Sequence, residues 1–273
     1  MSGAGQECET SEIPETVRQL AENPTVYGPL PPGFERILDE RYSLFCGPIA
    51  QMNMVQRVRL RPEQVEPAVT EVRELVRERS RTRVTWWIGS SSTPDDLEER
   101  LLSLGLVHAA MPIHEPTYGA LALVHPPEGS SSDLAARRVE SYDEFLVASD
   151  IAHTSFQQTE EQRESFRNSA PLLYELEQQG VSATYLAFAD GRPVASATAV
   201  FAAAGVMLLG GATVPQARGR GCYRALVRAR WNDAVRRGTP ALVVQAGRMS
   251  RPILDRLGFQ LVSELRVLVD ELE

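Results

Sequence analysis

The chain has 273 residues, 43% hydrophobic and 23% charged, which suits a folded protein with core material for two domains of ordinary size. Its formal charge of −8 argues against nucleic acid as a bulk partner and favours a cationic substrate. No apolar run reaches the roughly 20 residues of a membrane span. The three cysteines, Cys8, Cys46 and Cys222, are too few and too scattered for a disulfide framework or a metal site, and fit a reducing cytoplasm.

The first fifteen residues, MSGAGQECETSEIPE, are acidic and polar, unlike a secretory or mitochondrial signal, and are expected to form a disordered tail. Residues 13–22 read as a short helix stopped at Asn23-Pro24, and 27–33 as irregular turns. Strands are expected over 41–46 and 52–60, around Gly47-Pro48. Residues 63–79 form an amphipathic helix with Val65, Val69, Val72, Leu75 and Val76 on one face. Its arginines (Arg73, Arg77 and Arg79, continuing to Arg81 and Arg83) have the spacing of a solvated face. A strand over 83–88 places Trp86 and Trp87 on opposite sides. A helix over 94–104 follows, capped by Ser92 or Thr93 with Pro94 in its first turn, then strands over 106–113 and 118–124. The Pro/Gly/Ser-rich stretch HPPEGSSSD contains the expected linker, residues 126–133, between domains over 1–125 and 134–273.

The second half opens with a strand over 136–139 and a helix over 142–153 capped by Ser141. A second helix over 159–179 starts in a Thr159/Gln162 capping box, and Pro171 is expected to kink or split it. Strands over 183–189 and 193–202 meet at Asp190-Gly191, a hairpin signal. Residues 206–209 (VMLL) form a strand stopped by Gly210-Gly211. The turn Arg218-Gly219-Arg220-Gly221 leads into a helix from Cys222. Ala225, Leu226, Ala229, Trp231 and Val235 form its apolar face; Arg224, Arg228, Arg236 and Arg237 lie mostly off it. A strand over 241–246, Ser250, a short helix, Leu257-Gly258-Phe259 and a final strand pair complete the chain.

A strand, a glycine-bearing turn and a helix N-terminus together offer unpaired N–H groups and partial positive charge to an anion, and pyrophosphate is the natural guest. The mononucleotide loop Gly-x-x-x-x-Gly-Lys-Ser/Thr is excluded, because the chain has no lysine. The dinucleotide fingerprint is excluded because Arg224 stands where its third glycine belongs. The turn resembles the acyl-CoA loop of the GNAT (Gcn5-related) N-acetyltransferases, Arg/Gln-x-x-Gly-x-Gly/Ala, with Arg218, Gly221 and Tyr223 in those places; Tyr223 departs from the pattern. The element order from 206 to 272, and more broadly from 136 onward, resembles the same family. Residues 41–124 repeat that order without a Gly-x-Gly turn. There Pro62, Glu63 and Glu66 remove a donor and put negative charge where phosphates would sit. The resemblance implies an α/β (α+β) fold of two tandem GNAT-like domains, each a mixed, mostly antiparallel twisted sheet flanked by helices, with a degenerate first copy.

It further implies an acetyl-CoA-dependent N-acetyltransferase, working by direct attack of an amine on the thioester in a ternary complex. The pyrophosphate would lie on the backbone of Arg218, Gly219, Arg220, Gly221, Cys222, Tyr223 and Arg224, and the pantetheine arm along Gly211, Ala212 and Thr213. Ser250 matches the family. Leu254 stands in place of its usual tyrosine acid, and Gly247 in place of a common asparagine. An alkylammonium with a pKa near ~10.4 needs a base, and Glu264 and His153 are the candidates. Tyr185 and Gln245 either line the acceptor cleft or serve as ordinary strand residues. His108, His114 and His125 share no metal-ligand spacing, so no metal is expected. The acceptor would be a small-molecule or peptide amine selected between Ser141 and Gly180, with neither nucleic acid nor membrane as partner. The alternative is a non-catalytic acyl-CoA sensor or structural tandem protein. The sequence names neither the acceptor nor an oligomeric state.

Overall fold

Period-two apolar patterns set the strands, and helices with a single apolar stripe cover them. The computed structural model describes residues 12–47, 52–111, 114–129 and 134–272. The tail expected at the N-terminus falls largely outside those residues, as do Pro48, Ile113 and linker residues 130–133.

In the first half, α1 (Glu15–Glu22) stops at Asn23 and α2 (Pro24–Tyr27) begins on Pro24, whose missing N–H costs nothing at a first helical position. Strands β1 (Glu35–Leu38), β2 (Ser43–Cys46) and β3 (Asn53–Gln56) form an antiparallel meander. The short β1 has no uninterrupted apolar alternation and was not legible in advance. Helix α3 (Val65–Glu78) buries Val65, Ala68, Val69, Val72 and Val76 and leads to β4 (Arg83–Ile88), parallel to β3. Both tryptophans of β4 are buried, Trp86 in the core under α3 and Trp87 in the core on the other face. Helix α4 (Leu97–Ser103) starts three residues later than the expected Pro94, behind Asp96, whose side chain makes no cap bond. Ser92 is engaged elsewhere, accepting from the Gly89 N–H at 3.1 Å, and Thr93 bridges to Arg59. Strands β5 (Val107–His108) and β6 (Thr117–Leu123) end this half.

The second half runs β7 (Ala136–Arg138), α5 (Tyr142–Ser155), α6 (Glu160–Gln178), β8 (Ser182–Ala189), β9 (Arg192–Ala202), β10 (Gly205–Thr213), α7 (Cys222–Arg236), β11 (Leu242–Ala246), α8 (Arg251–Asp255) and β12 (Gln260–Glu271). Both helix caps appear as expected: Ser141 accepts from the Glu144 N–H, and Thr159 and Gln162 form a reciprocal box. Helix α6 continues through Pro171 without splitting, because Pro171 and Arg167 face solvent and the freed carbonyl can be hydrated. The hairpin at Asp190-Gly191 has both residues at positive φ, +53° and +74°. On α7, Val235 is 50% exposed, while Arg230 is buried instead.

The expected final strand pair is one long strand, and its partners come from the other half of the chain. The sheet order is β1-β2-β3-β4-β12-β6-β11-β10-β9-β8-β7, with β5 paired to β12 off that path. Arg266 to Glu271 of β12 pair with β4, and Gln260 to Arg266 pair with β6. Residues 119–123 of β6 pair in turn with β11. Each half has thus handed its last strand to the other. Leu121 and Leu123 complete the core beneath α7, while Leu268 and Leu272 complete the core beneath α3. Asp270, almost fully buried on β12, accepts from Arg73 Nε at 2.8 Å and Nη2 at 2.9 Å, fastening the exchanged strand to α3. The linker divides the sequence, but not the sheet.

Residues 1–124 and 134–273 expressed separately should therefore each fail to give a cooperatively melting species, and co-expression should recover a 1:1 complex with native circular dichroism. A folded monomer from either piece alone would contradict the exchange.

Candidate functional site

Strands β10 and β11 are parallel neighbours joined by the crossover helix α7, and they pair only at Val206–Leu242 and Met207–Val243. Beyond those rows β10 stays with β9 and β11 stays with β6, so a crevice opens towards their carboxyl ends. Crevices outside the carboxyl ends of parallel strands are where open α/β sheets take ligands. The Gly210-Gly211 pair does not stop β10, as the sequence suggested. It forms a β-bulge between Leu209 and Ala212, with Gly210 at φ +57°, and re-aims the backbone of Gly211, Ala212 and Thr213 at the crevice edge.

Two side chains hold that bulge. A Cβ at Gly211 would lie 2.5 Å from Cε2 of Tyr223, so the tyrosine ring covers the glycine. The guanidinium of Arg230, 1% exposed, lies beside the Tyr223 phenol and donates to the carbonyls of Leu226 at 3.1 Å and Thr198 at 3.3 Å. Thr198 is the register partner of Leu209, the last paired residue before the bulge, so Arg230 supplies a donor where the ladder is interrupted. Burial pulls the Arg230 pKa down, and burial pushes the Tyr223 phenol up, against the pull of the neighbouring cation. Arg230 is one of several arginines on α7. Its phase with Tyr223 and Leu226, seven and four residues earlier, was the available sign that it points inward.

The loop after β10 makes one 3-10 turn (Pro215–Ala217) and enters α7 through Gly219 at φ +77° and Gly221 at φ +90°. Gly221 is the N-cap and carries no side-chain cap, and the first turn of α7 contains no acidic residue. The leading N–H groups of the helix, from Cys222, Tyr223 and Arg224, have no intrahelical acceptor and meet no opposing charge from their own turn. Two backbone donors of the expected set are committed inside the loop: Arg218 N–H to Pro215 O at 3.3 Å and Arg220 N–H to Ala217 O at 3.4 Å. Their side chains tie the loop down as well, Arg218 Nε to Thr213 O at 3.3 Å and Arg220 Nη1 to Asp190 at 3.0 Å. Cys222 is buried with Sγ 3.7 Å from Ala217 O, and burial raises its thiol pKa.

The residues expected to handle protons each have other partners in this structure. Glu264 is ion-paired to Arg251 on α8 at 2.7 Å. His153 is buried between α5 and α6, its Nδ1 on Gln158 and its ring edge-on to Phe166 at 5.0 Å. Ser250 caps its own turn, Oγ to Gly247 O at 3.3 Å, and Leu254 is fully buried in the core beneath α7. Tyr185 donates to Asp233 at 2.5 Å, a buried carboxylate also held by Arg138 and Arg236, so its role is in packing α7 onto β7 and β8. Gln245 Nε2 donates to the Glu22 carbonyl at 3.2 Å. Among the described residues no group of His, Cys, Asp or Glu side chains could hold a metal ion. No helix among them is long and apolar enough to cross a membrane.

The equivalent crevice of the first half, between β3 and β4, is closed by the chain itself. Thr25 donates through both N–H and Oγ1 to Gln56 Oε1 at 3.1 and 2.6 Å, and Asn23 Oδ1 accepts from Arg57 N–H at 2.8 Å. The Glu22 carboxylate accepts from Ser91 N–H at 2.9 Å, and Thr93 rejoins the other side through Val58 O and its own carbonyl to Leu60 N–H, both at 3.2 Å. At the start of the helical region, Gln64 Oε1 accepts the Arg61 N–H, and Glu63 is bound by Arg61.

No family model and no curated protein matches the sequence. Solved structures do match over most of the chain. A GCN5-related N-acetyltransferase from Kribbella flavida is 17% identical, covering 95% of this chain and 96% of that one, with a TM-score of 0.66. A tandem GNAT protein from the clavulanic acid biosynthesis pathway is 15% identical over 94% and 88% of the two chains, at 0.58. A GCN5-related N-acetyltransferase from Sphaerobacter thermophilus is 18% identical over 86% and 82%, at 0.56. The fold is that of the GNAT N-acetyltransferases, in tandem.

The packing of Tyr223 on Gly211 makes a specific stability prediction. Gly211→Ala should cost about 1–3 kcal/mol by forcing the ring off the bulge. Tyr223→Ala in the same chain should cancel much of that cost in a denaturant double-mutant cycle. Additive losses would show that the two residues do not meet.

Proposed function

We propose that the second half binds an acyl-CoA and transfers its acetyl group to an amine. The observation that carries this reading is the asymmetry between the two crevices. Both halves have the parallel strands and the crossover helix, but only β10 and β11 diverge before an uncapped, acid-free helix N-terminus reached through two left-handed glycines. The pyrophosphate of CoA fits the leading N–H groups of α7, with Arg218, Arg220 and Arg224 adding positive charge. Acetyl-CoA enters as a consumed acyl donor, and no metal is needed for a thioester that is already activated.

The bulge supplies the electrophilic help. Its backbone, turned at Gly210, offers N–H groups from Gly211 to Thr213 to the oxygen on which charge develops when nitrogen attacks, a contribution of roughly 3–4 kcal/mol where one such donor has been removed in other enzymes. Departure of the sulfur needs less help, since a thiol with a pKa near ~8.5 is a good leaving group near neutrality. That fits a site in which Leu254 is buried in the core rather than serving as an acid. The same leucine is the one feature that favours a second reading, an acyl-CoA-binding sensor without turnover.

Two measurements test the proposal. Acetyl-CoA should raise the Tm of the full chain, and Gly221→Asp, which puts bulk and negative charge at the phosphates, should abolish the rise. An unchanged rise in the variant would remove the loop assignment. Thiol release from acetyl-CoA with a panel of primary amines separates transfer from sensing: binding with no release for any amine leaves only the sensor.

A further inference from the structure

The exchange of β6 has a chemical result at the mouth of the crevice. Glu115 belongs to the first half of the sequence, two residues before β6, yet β6 lies against β11 and carries it to the carboxyl end of that strand. Its Oε2 accepts from the Arg248 N–H at 2.9 Å, just beyond β11, and its own N–H donates to the Tyr118 hydroxyl at 3.1 Å. A Cβ at Gly247 would lie 2.5 Å from Glu115 Oε1, so the carboxylate occupies the space in which a side chain at 247 would stand. Side chains alternate along β11: Leu242 and Ala246 pack under α7, while Val243 and Gln245 face α1. Position 247 continues the α1 face, opposite the helix whose N-terminus is assigned to the phosphates.

We infer that Glu115 is the carboxylate of the acceptor site, supplied by the first half to the second, and that the acceptor is a primary alkyl amine bound as its ammonium ion. This rests on the transfer reading above. The charge balance around the residue supports it. Glu264, the other carboxylate near the end of β11, is neutralised by Arg251. Among the described residues no cation pairs with Glu115, whose Oε2 is held by one backbone N–H. The remaining ionisable neighbours are the Tyr118 phenol, raised by burial, His114 next in sequence, and the exposed Arg248 side chain.

An ammonium ion with a pKa near ~10.4 is almost wholly protonated at neutral pH, so its lone pair must be freed at the site. Glu115 Oε1 holds the ammonium and takes one proton as the C–N bond forms, later passing it to solvent. The C–S bond then breaks, and the departing thiolate takes the second nitrogen proton to become the thiol. Acetyl-CoA and the ammonium give the amide, CoA and one proton.

The test uses the full chain, acetyl-CoA, and panels of primary alkyl amines and aryl amines, the latter neutral at pH 7. Glu115→Gln should leave the acetyl-CoA thermal shift intact. It should lower kcat/KM for the best alkyl amine by about 100-fold or more at pH 7, while an aryl amine changes little. The alkyl-amine loss should shrink as pH rises towards the pKa of the free amine. Gly247→Ala, whose Cβ displaces the carboxylate, should reproduce the pattern, and Glu115→Asp should restore part of the rate. No loss in Glu115→Gln, or an equal loss for both amine classes at every pH, overturns the role of Glu115 and leaves the transfer reading standing. A wild-type chain that binds acetyl-CoA and acetylates no amine overturns both.

Discussion

The constraint on which the structure depends is the exchange of terminal strands. An edge strand left unpaired exposes a row of N–H and C=O groups and an apolar face, and each half would have such an edge without the strand of the other. β12 meets both needs at once. Its first residues pair with β6 in the frame of the second half, and its last residues pair with β4 in the frame of the first. The buried ion pair of Arg73 with Asp270 ties α3 of the first half to a strand from the end of the chain. Neither core is complete from its own sequence, and the two share a continuous sheet.

Within that shared frame the halves differ most tellingly in the gap between two parallel strands. In the second half the bulge in β10 keeps the strands apart, at the cost of an interrupted ladder, and the buried Arg230 supplies a donor to the Thr198 carbonyl there. A fully buried cation is expensive to desolvate, and here it is held by two carbonyls, with the Tyr223 phenol alongside, rather than by a carboxylate. In the first half the gap is filled by Glu22, Asn23 and Thr25, which satisfy the same kind of backbone and side-chain groups from within. Closing a crevice with the chain itself makes a rigid support; keeping one open requires a dedicated prop.

Much of this was legible in the sequence because it is local. The caps at Ser141 and Thr159, the Asp190-Gly191 turn and the glycine loop before Cys222 each rest on a few neighbouring residues, and each appears where those residues put it. The resemblance carried the tandem fold on the order of such elements. What could not be read locally depends on distant contacts. Gly210-Gly211 has the composition of a stop and acts as a bulge because β9 continues alongside. Pro171 does not split α6 because its side of the helix faces water. Arg230 has the chemistry of a surface residue and is buried by its phase. The exchange of β6 and β12 leaves no mark in composition or periodicity, since each strand presents the same alternation to either neighbour.

Tyr223 illustrates how a departure from a sequence pattern can be absorbed. The pattern asks for a small residue at that place because helix and strand approach closely there. The volume has not gone away; it has moved across the contact. Gly211 on β10 has no side chain, and the Tyr223 ring takes the space that one would fill. The phenol then lies beside Arg230, so the larger residue also gives the buried cation a polar neighbour that glycine or alanine could not supply. Bulk, glycine and arginine form a set that is consistent only as a whole, which is why position 223 read alone looks like a defect and read with 211 and 230 does not.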